Sequence, residues 1–211
     1  MPEKQFYVLA DGMGGHNAGE VAAKTAVTDL CKGIKEIRPE PSELKKIIYT
    51  ANKKVYDLAA HRSDLHGMGT TLCCFWVFKK ELLYAHVGDS RIYRYRDALK
   101  RLTQDHSLRQ ELLIKGELKE KDLSSYPHKN IITKAIGTTP YVEPDIGVDS
   151  IEKGDIYFLC SDGLTDMVTD IEIEEILKSE NSIEKVCDEL VSLAKSNGGS
   201  DNITIVMIRI S

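Results

Sequence analysis

A short apolar run that ends in a carboxylate and then in glycines leaves a chain few ways to fold. Residues 6–16 have that form: Phe6-Tyr7-Val8-Leu9-Ala10 runs into Asp11-Gly12-Met13-Gly14-Gly15-His16. The apolar part is long enough for one buried strand, and three glycines within four residues make a turn. Glycine has no Cβ, so main-chain atoms there can approach a ligand closely. Asn17 and Glu20 follow with the spacing of a helix cap. The stretch therefore reads as buried strand, acidic tip, glycine turn, helix. The pattern returns in Ile156-Tyr157-Phe158-Leu159-Cys160-Ser161-Asp162-Gly163. A third acidic tip, Asp201-Asn202, lies between the loop Ser196-Asn197-Gly198-Gly199-Ser200 and a strand from Ile203 to Ile210. A lone Asp-Gly is most often only a turn. Three carboxylates at strand ends far apart in sequence are what an oxygen-ligand metal site needs.

Periodicity divides the rest. Residues 17–37 read as a helix, with Ala23, Val27, Leu30, Ile34 and Ile37 along one face. Arg38-Pro39-Glu40-Pro41 breaks it, and a second helix runs to about His61. Thr70 to Phe78 and Leu82 to Val87 form a hairpin turned at Lys79-Lys80-Glu81. Gly88-Asp89-Ser90-Arg91 interrupts, then Ile92 to Arg96 continues as strand, with Arg94 and Arg96 suggesting a wet face. Residues 103–150 are irregular apart from a short helix from Leu108 to Ile114, and about 103–148 read as a mobile flap that tunes substrate choice. A helical region follows from Asp170, and a last helix starts near Asn181 and carries Ile183, Val186, Leu190 and Ala194 on one face. Two helices followed by consecutive strands argue for an α+β fold. The 211 residues suffice for one core, and the expectation is one domain spanning 1–211.

A formal net charge of -5 disfavours nucleic acid as a partner, and with it a two-metal nuclease. No apolar run is long enough for a signal peptide or membrane span. The five cysteines form no C-x-x-C and lie in apolar patterns, which suits reduced core thiols in a cytoplasmic protein. Cys73 and Cys74 are neighbours on one strand and should face opposite ways.

Seven stretches in order resemble the bacterial metal-dependent protein phosphatases, the type 2C serine/threonine family. They are Asp11 to Gly15, Gly69-Thr70-Thr71, Val87 to Arg91, Thr103 to Ser107, Ile132 to Gly137, Ser161 to Leu164, and Asp201-Asn202. The resemblance implies a four-layer α-β-β-α sandwich of two antiparallel sheets flanked by helices. It implies metal ligation by Asp11, the Gly12 carbonyl, Asp162 and Asp201, with Asp89 and Asp162 holding a weaker third ion. Oxygen ligands suit Mn²⁺ or Mg²⁺ and not zinc. Two such ions would activate a water to hydrolyse phosphoserine or phosphothreonine, with no side-chain nucleophile. The implied partners are phosphorylated substrates of a serine/threonine kinase. Met13 stands where some relatives carry a histidine, and His16 and His106 are expected to cap or order loops. The family also places an arginine and an Asn-Glu-Asp stretch ahead of the first motif. This chain begins after both, so weak turnover, unpaired sheet edges that invite self-association, and a phosphoprotein-binding module as the alternative are also expected.

Overall fold

The hairpin of Leu72–Phe78 (β4) and Glu81–Val87 (β5) is the centre of one sheet. The computed structural model describes residues 1–14, 18–119, 126, 131–180 and 182–211. Phe6–Leu9 (β1) pairs antiparallel with β4, and Asp145–Ser150 (β8) pairs antiparallel with β5, giving the order β1-β4-β5-β8. Between them in sequence come Gly12–Met13 (β2), which pairs with Gly69–Thr70 (β3), then Arg91–Tyr95 (β6) and Leu99–Arg101 (β7). The second sheet has the order β10-β9-β6-β7, where β9 is Ile156–Cys160 and β10 is Ile205–Arg209.

Strand alternation sorts the core into three layers. Cys73, Phe75 and Leu82 of the first sheet meet Ile92, Tyr157 and Leu159 of the second, so these faces pack sheet on sheet. Leu72, Cys74, Trp76, Leu83 and Ala85 point the other way, against Ala18–Ile34 (α1) and Pro41–His61 (α2). Tyr93, Phe158 and Cys160 face Asp162–Thr165 (α4), Asp170–Ser179 (α5) and Ile183–Ser196 (α6). This is the α-β-β-α sandwich, with Cys73 and Cys74 buried on opposite faces as period two requires.

Several boundaries differ from expectation. Helix α1 stops at Ile34, and Asn17, Gly15 and His16 lie outside the described residues, as does Asn181. The cap of α6 is Ser182, whose hydroxyl accepts from the Lys185 amide at 3.4 Å. Arg94 and Arg96 do not line a wet face. Arg94 reaches Asp149 with both contacts at 3.1 Å, and Arg96 grips Asp155 through two 2.8 Å bonds. Their charges are paired at the sandwich margin, so an ion pair replaces the solvent that alternation suggested. Residues 145–150 are a strand at the edge of the first sheet, which shortens the irregular stretch. Asp, Gly and Ser are poor strand formers, and a strand paired on one side tolerates them.

Candidate metal centre

The register puts every acidic tip at one end of the sandwich. Leu9 lies opposite Cys73, Leu72 opposite Val87, and Cys160 opposite both Arg91 and Ile205. The end of β1, the end of β9, the start of β10 and the β5–β6 crossover therefore share that end. Gly88-Asp89-Ser90 is the crossover from the first sheet to the second, so Asp89 stands where the sheets meet.

The backbone at Asp11 is clamped from β3 and the residue after it. The Thr71 amide donates to the Asp11 carbonyl at 2.8 Å and the Thr70 hydroxyl donates to it at 2.9 Å. The Asp11 amide donates to Thr71 Oγ1 at 2.9 Å, and that hydroxyl shares a 2.8 Å hydrogen bond with Ser90 beside Asp89. One side chain thus fixes both carboxylate-bearing loops. Glycine is required beneath them, because a Cβ at Gly12 would lie 2.1 Å from the Gly19 carbonyl oxygen of α1.

A similar stitch joins the other two carboxylates. Ser161 Oγ donates to the Asn202 carbonyl at 3.0 Å and accepts from the Thr204 amide at 3.1 Å. A Cβ on Gly163 would stand 2.2 Å from that same Asn202 oxygen, so only glycine lets the loops touch. The motif around Thr71 was visible in the sequence, but the roles of Thr71, Ser90 and Ser161 were not. Short hydroxyls flanking each acidic tip were the only available signal.

Burial and mutual repulsion both act on the carboxylates. Burial first, then the charges of Asp162 and Asp201, raise the Asp11 carboxyl to about 7. Burial, then Asp162 and Asp105, raise Asp89 to about 7. Asp162 is raised by burial and by Asp166 and Asp201. Carboxylates resist ionising together in a half-buried site unless a cation joins them. Asp162 Oδ1 is buried with no hydrogen-bond partner among the described residues. An oxygen-only donor set with an orphaned buried oxygen fits a hard divalent cation. The Gly12 carbonyl lies on β2, at the same turn as Asp11.

His86, His106 and Asp145 also offer ligand atoms within 4.8 Å of one another. Their geometry does not suit a cation. The two rings stack at 4.5 Å and 9°, so their in-plane lone pairs run parallel and do not converge. Lys134 Nζ stands 3.4 Å from His106 Nε2 and 3.5 Å from Asp145. The cluster ties the segment after β7 to the β5–β6 crossover. The Gly88 amide donates to His106 Nδ1 at 3.1 Å, and the His106 amide donates to the Gly88 carbonyl at 2.9 Å. Arg91 likewise is structural, with Nε and Nη2 donating to Asp105 at 3.0 and 2.7 Å.

The profile of the family described as Protein phosphatase 2C matches residues 2–204. Serine/threonine phosphatase stp of Listeria innocua serovar 6a is 42% identical over 213 residues, covering 98% of this chain and 84% of its own. Protein phosphatase PhpP of Streptococcus pneumoniae is 38% identical over 213 residues, covering 97% of this chain and 85% of its own. Among solved structures, the serine/threonine phosphatase Stp1 from Staphylococcus aureus superposes with a TM-score of 0.93 at 37% identity, covering 98% of this chain and 84% of that one. The catalytic domain of PstP, solved with 2 manganese ions, gives 0.87 at 32% identity, covering 98% and 88%. The chain belongs to the protein phosphatase 2C family of metal-dependent protein serine/threonine phosphatases.

The clamp on Asp11 can be tested directly. Thr71→Val removes the acceptor for the Asp11 amide and the bond to Ser90, leaving buried groups unpaired. We expect a stability loss of about 1–3 kcal/mol and a fall in Mn²⁺ affinity of about 10–100-fold. Thermal melts and a Mn²⁺ titration measure the two effects. Unchanged Mn²⁺ affinity would show that Thr71 serves the sheet and not the site.

Proposed function

We infer that Asp11, the Gly12 carbonyl, Asp162 and Asp201 hold two divalent cations, Mn²⁺ or Mg²⁺, and that Asp89 with Asp162 holds a weaker third. The observation that carries this reading is the convergence of carboxylates from three separate strand ends around the unpartnered Asp162 Oδ1. Two such ions supply a water of lowered pKa and polarise a phosphoryl group. The residues of this chain do the rest. Thr71 and Ser90 keep the loops of Asp11 and Asp89 in fixed relation, and Ser161 keeps Asp162 beside Asp201.

No thiol takes part. Burial raises the Cys74 and Cys160 thiols to about 12 and lifts Cys73 well above its ordinary value, so none is a nucleophile at neutral pH. Free buried thiols suit a reducing compartment, which supports the cytoplasm as the site of action. The substrates are phosphoproteins, and a serine/threonine kinase is the natural source of them.

Phosphate release from a phosphoserine or phosphothreonine peptide tests the reading. Activity should vanish in EDTA, return on adding Mn²⁺ or Mg²⁺, and survive mild alkylation of the half-buried Cys31 and Cys187. Turnover that persists in EDTA, or that dies on alkylation with the fold intact, would remove the basis for it.

A further inference from the structure

Beside Asp89 and Asp162 lies a small cavity of about 10 Å³, also lined by Arg91, Asp105, Ser107, Arg109, Thr165 and Asp166. Four of these residues are carboxylates and two are arginines, and the two arginines differ in what they have left to give. Arg91 donates through Nε and Nη2 to Asp105, and its Nη1 lies 3.3 Å from the Tyr93 hydroxyl. Its fork is used. Arg109 Nη2 stands 4.0 Å from Asp105 Oδ2, beyond hydrogen-bond range, because Asp105 is already held by Arg91. Among the described residues no hydrogen bond takes the guanidinium donors of Arg109. Arg101 also approaches Asp105, at 3.9 Å, but it does not line the cavity.

We propose that Arg109 is a phosphate-contacting residue, its guanidinium donating to the phosphoryl oxygens of a phosphomonoester held beside Asp89 and Asp162. The inference rests on the metal reading above. An arginine with a free planar fork matches two oxygens of a phosphoryl group bidentately, which neither a lysine nor the engaged Arg91 can do. Its place is set by the backbone. Arg109 is the second residue of Leu108–Ile114 (α3), whose cap Ser107 accepts from the Gln110 amide at 3.3 Å. Just before the cap, His106 is bound twice to Gly88, the residue ahead of Asp89. The segment that carries Arg109 is therefore tied to the crossover that carries Asp89. A fifth of the Arg109 side chain is exposed, whereas 11% of Arg91 is. The cavity holds about one water, so the phosphoryl group sits at its solvent side, where Arg109 reaches, and not within it.

The test uses the full chain loaded with Mn²⁺ and titrated calorimetrically with inorganic phosphate, alongside KM for a phosphopeptide. Arg109→Gln should weaken phosphate binding by about tenfold to a hundredfold and raise KM in step, with Mn²⁺ affinity retained. Arg109→Lys, which keeps the charge and loses the fork, should fall between. Unchanged phosphate affinity in Arg109→Gln would overturn the assignment. So would a parallel loss of Mn²⁺ binding in both variants, because Arg109 would then be organising the carboxylates. Wild-type protein that binds Mn²⁺ but not phosphate would overturn it while sparing the metal reading. Wild-type protein that binds no Mn²⁺ would overturn both.

Discussion

Asp162→Asn should abolish metal-dependent phosphatase activity, by at least about a hundredfold in kcat/KM, and leave the fold intact. Loss of an outer-shell partner alone typically costs about 10–100-fold in metal affinity or activity, and on the proposed reading Asp162 touches the cations themselves. Its Oδ1 is buried without a hydrogen-bond partner among the described residues, so neutralising this side chain removes charge where a cation is most needed. The same change should not destabilise the metal-free protein. Burial, with the charges of Asp166 and Asp201, already disfavours the ionised form of Asp162 in the folded state. An asparagine of equal size relieves that repulsion. The expected pattern is a melting temperature equal to or above wild type without metal, and a much smaller upward shift on adding Mn²⁺. Near wild-type turnover at limiting Mn²⁺ would make Asp162 a turn residue only.

Much of this site was legible because its parts are local in sequence. Apolar strands tipped by Asp11 and Asp162, and Asp201 ahead of a strand, announce themselves within a few residues each. Helix α2 was equally plain, since the prolines before it are a short-range signal. What could not be read were relations between distant segments. Nothing in the sequence says that Thr71 accepts from Asp11 and also bonds Ser90, or that Ser161 stitches Asp162 to Asn202. Those bonds depend on the strand order, and the order is fixed by packing three apolar layers at once. Arg94 and Arg96 were misread for the same reason. Alternation marks a face, but only the tertiary arrangement brings Asp149 and Asp155 to that face. Strand β8 was hidden because its stability comes from pairing with β5 and not from its own residues.

The second large effect is one of pH. Asp11 and Asp89 have carboxyls raised from 3.8 to about 7, so the folded metal-free protein binds protons that the unfolded chain has released. Stability rises with pH only where the unfolded state binds more protons, and here the native state binds more. The contribution of these groups is therefore fully present below about pH 4 and is lost as pH rises through 7. After discount for their partial exposure, it is on the order of 2–4 kcal/mol in total. His86 acts in the opposite sense. Burial, then the His106 charge, lowers it to about 4, so its contribution is lost as pH falls from 6.5 towards 4. That histidine is not among the proposed ligands, so the difference between the metal-free and metal-loaded forms at each pH reports chiefly on the carboxylates. On the proposed reading, divalent cations take the place of the protons at Asp11 and at Asp89, and their binding strengthens as those protons leave. The rise in melting temperature caused by Mn²⁺ should thus be small at pH 5 and grow steadily to pH 8, with the midpoint of the change near 7. A Mn²⁺-induced shift that is constant across pH 5–8 would mean that Asp11 and Asp89 are already ionised in the metal-free fold. The proton-for-cation exchange proposed at these two carboxylates would then be wrong.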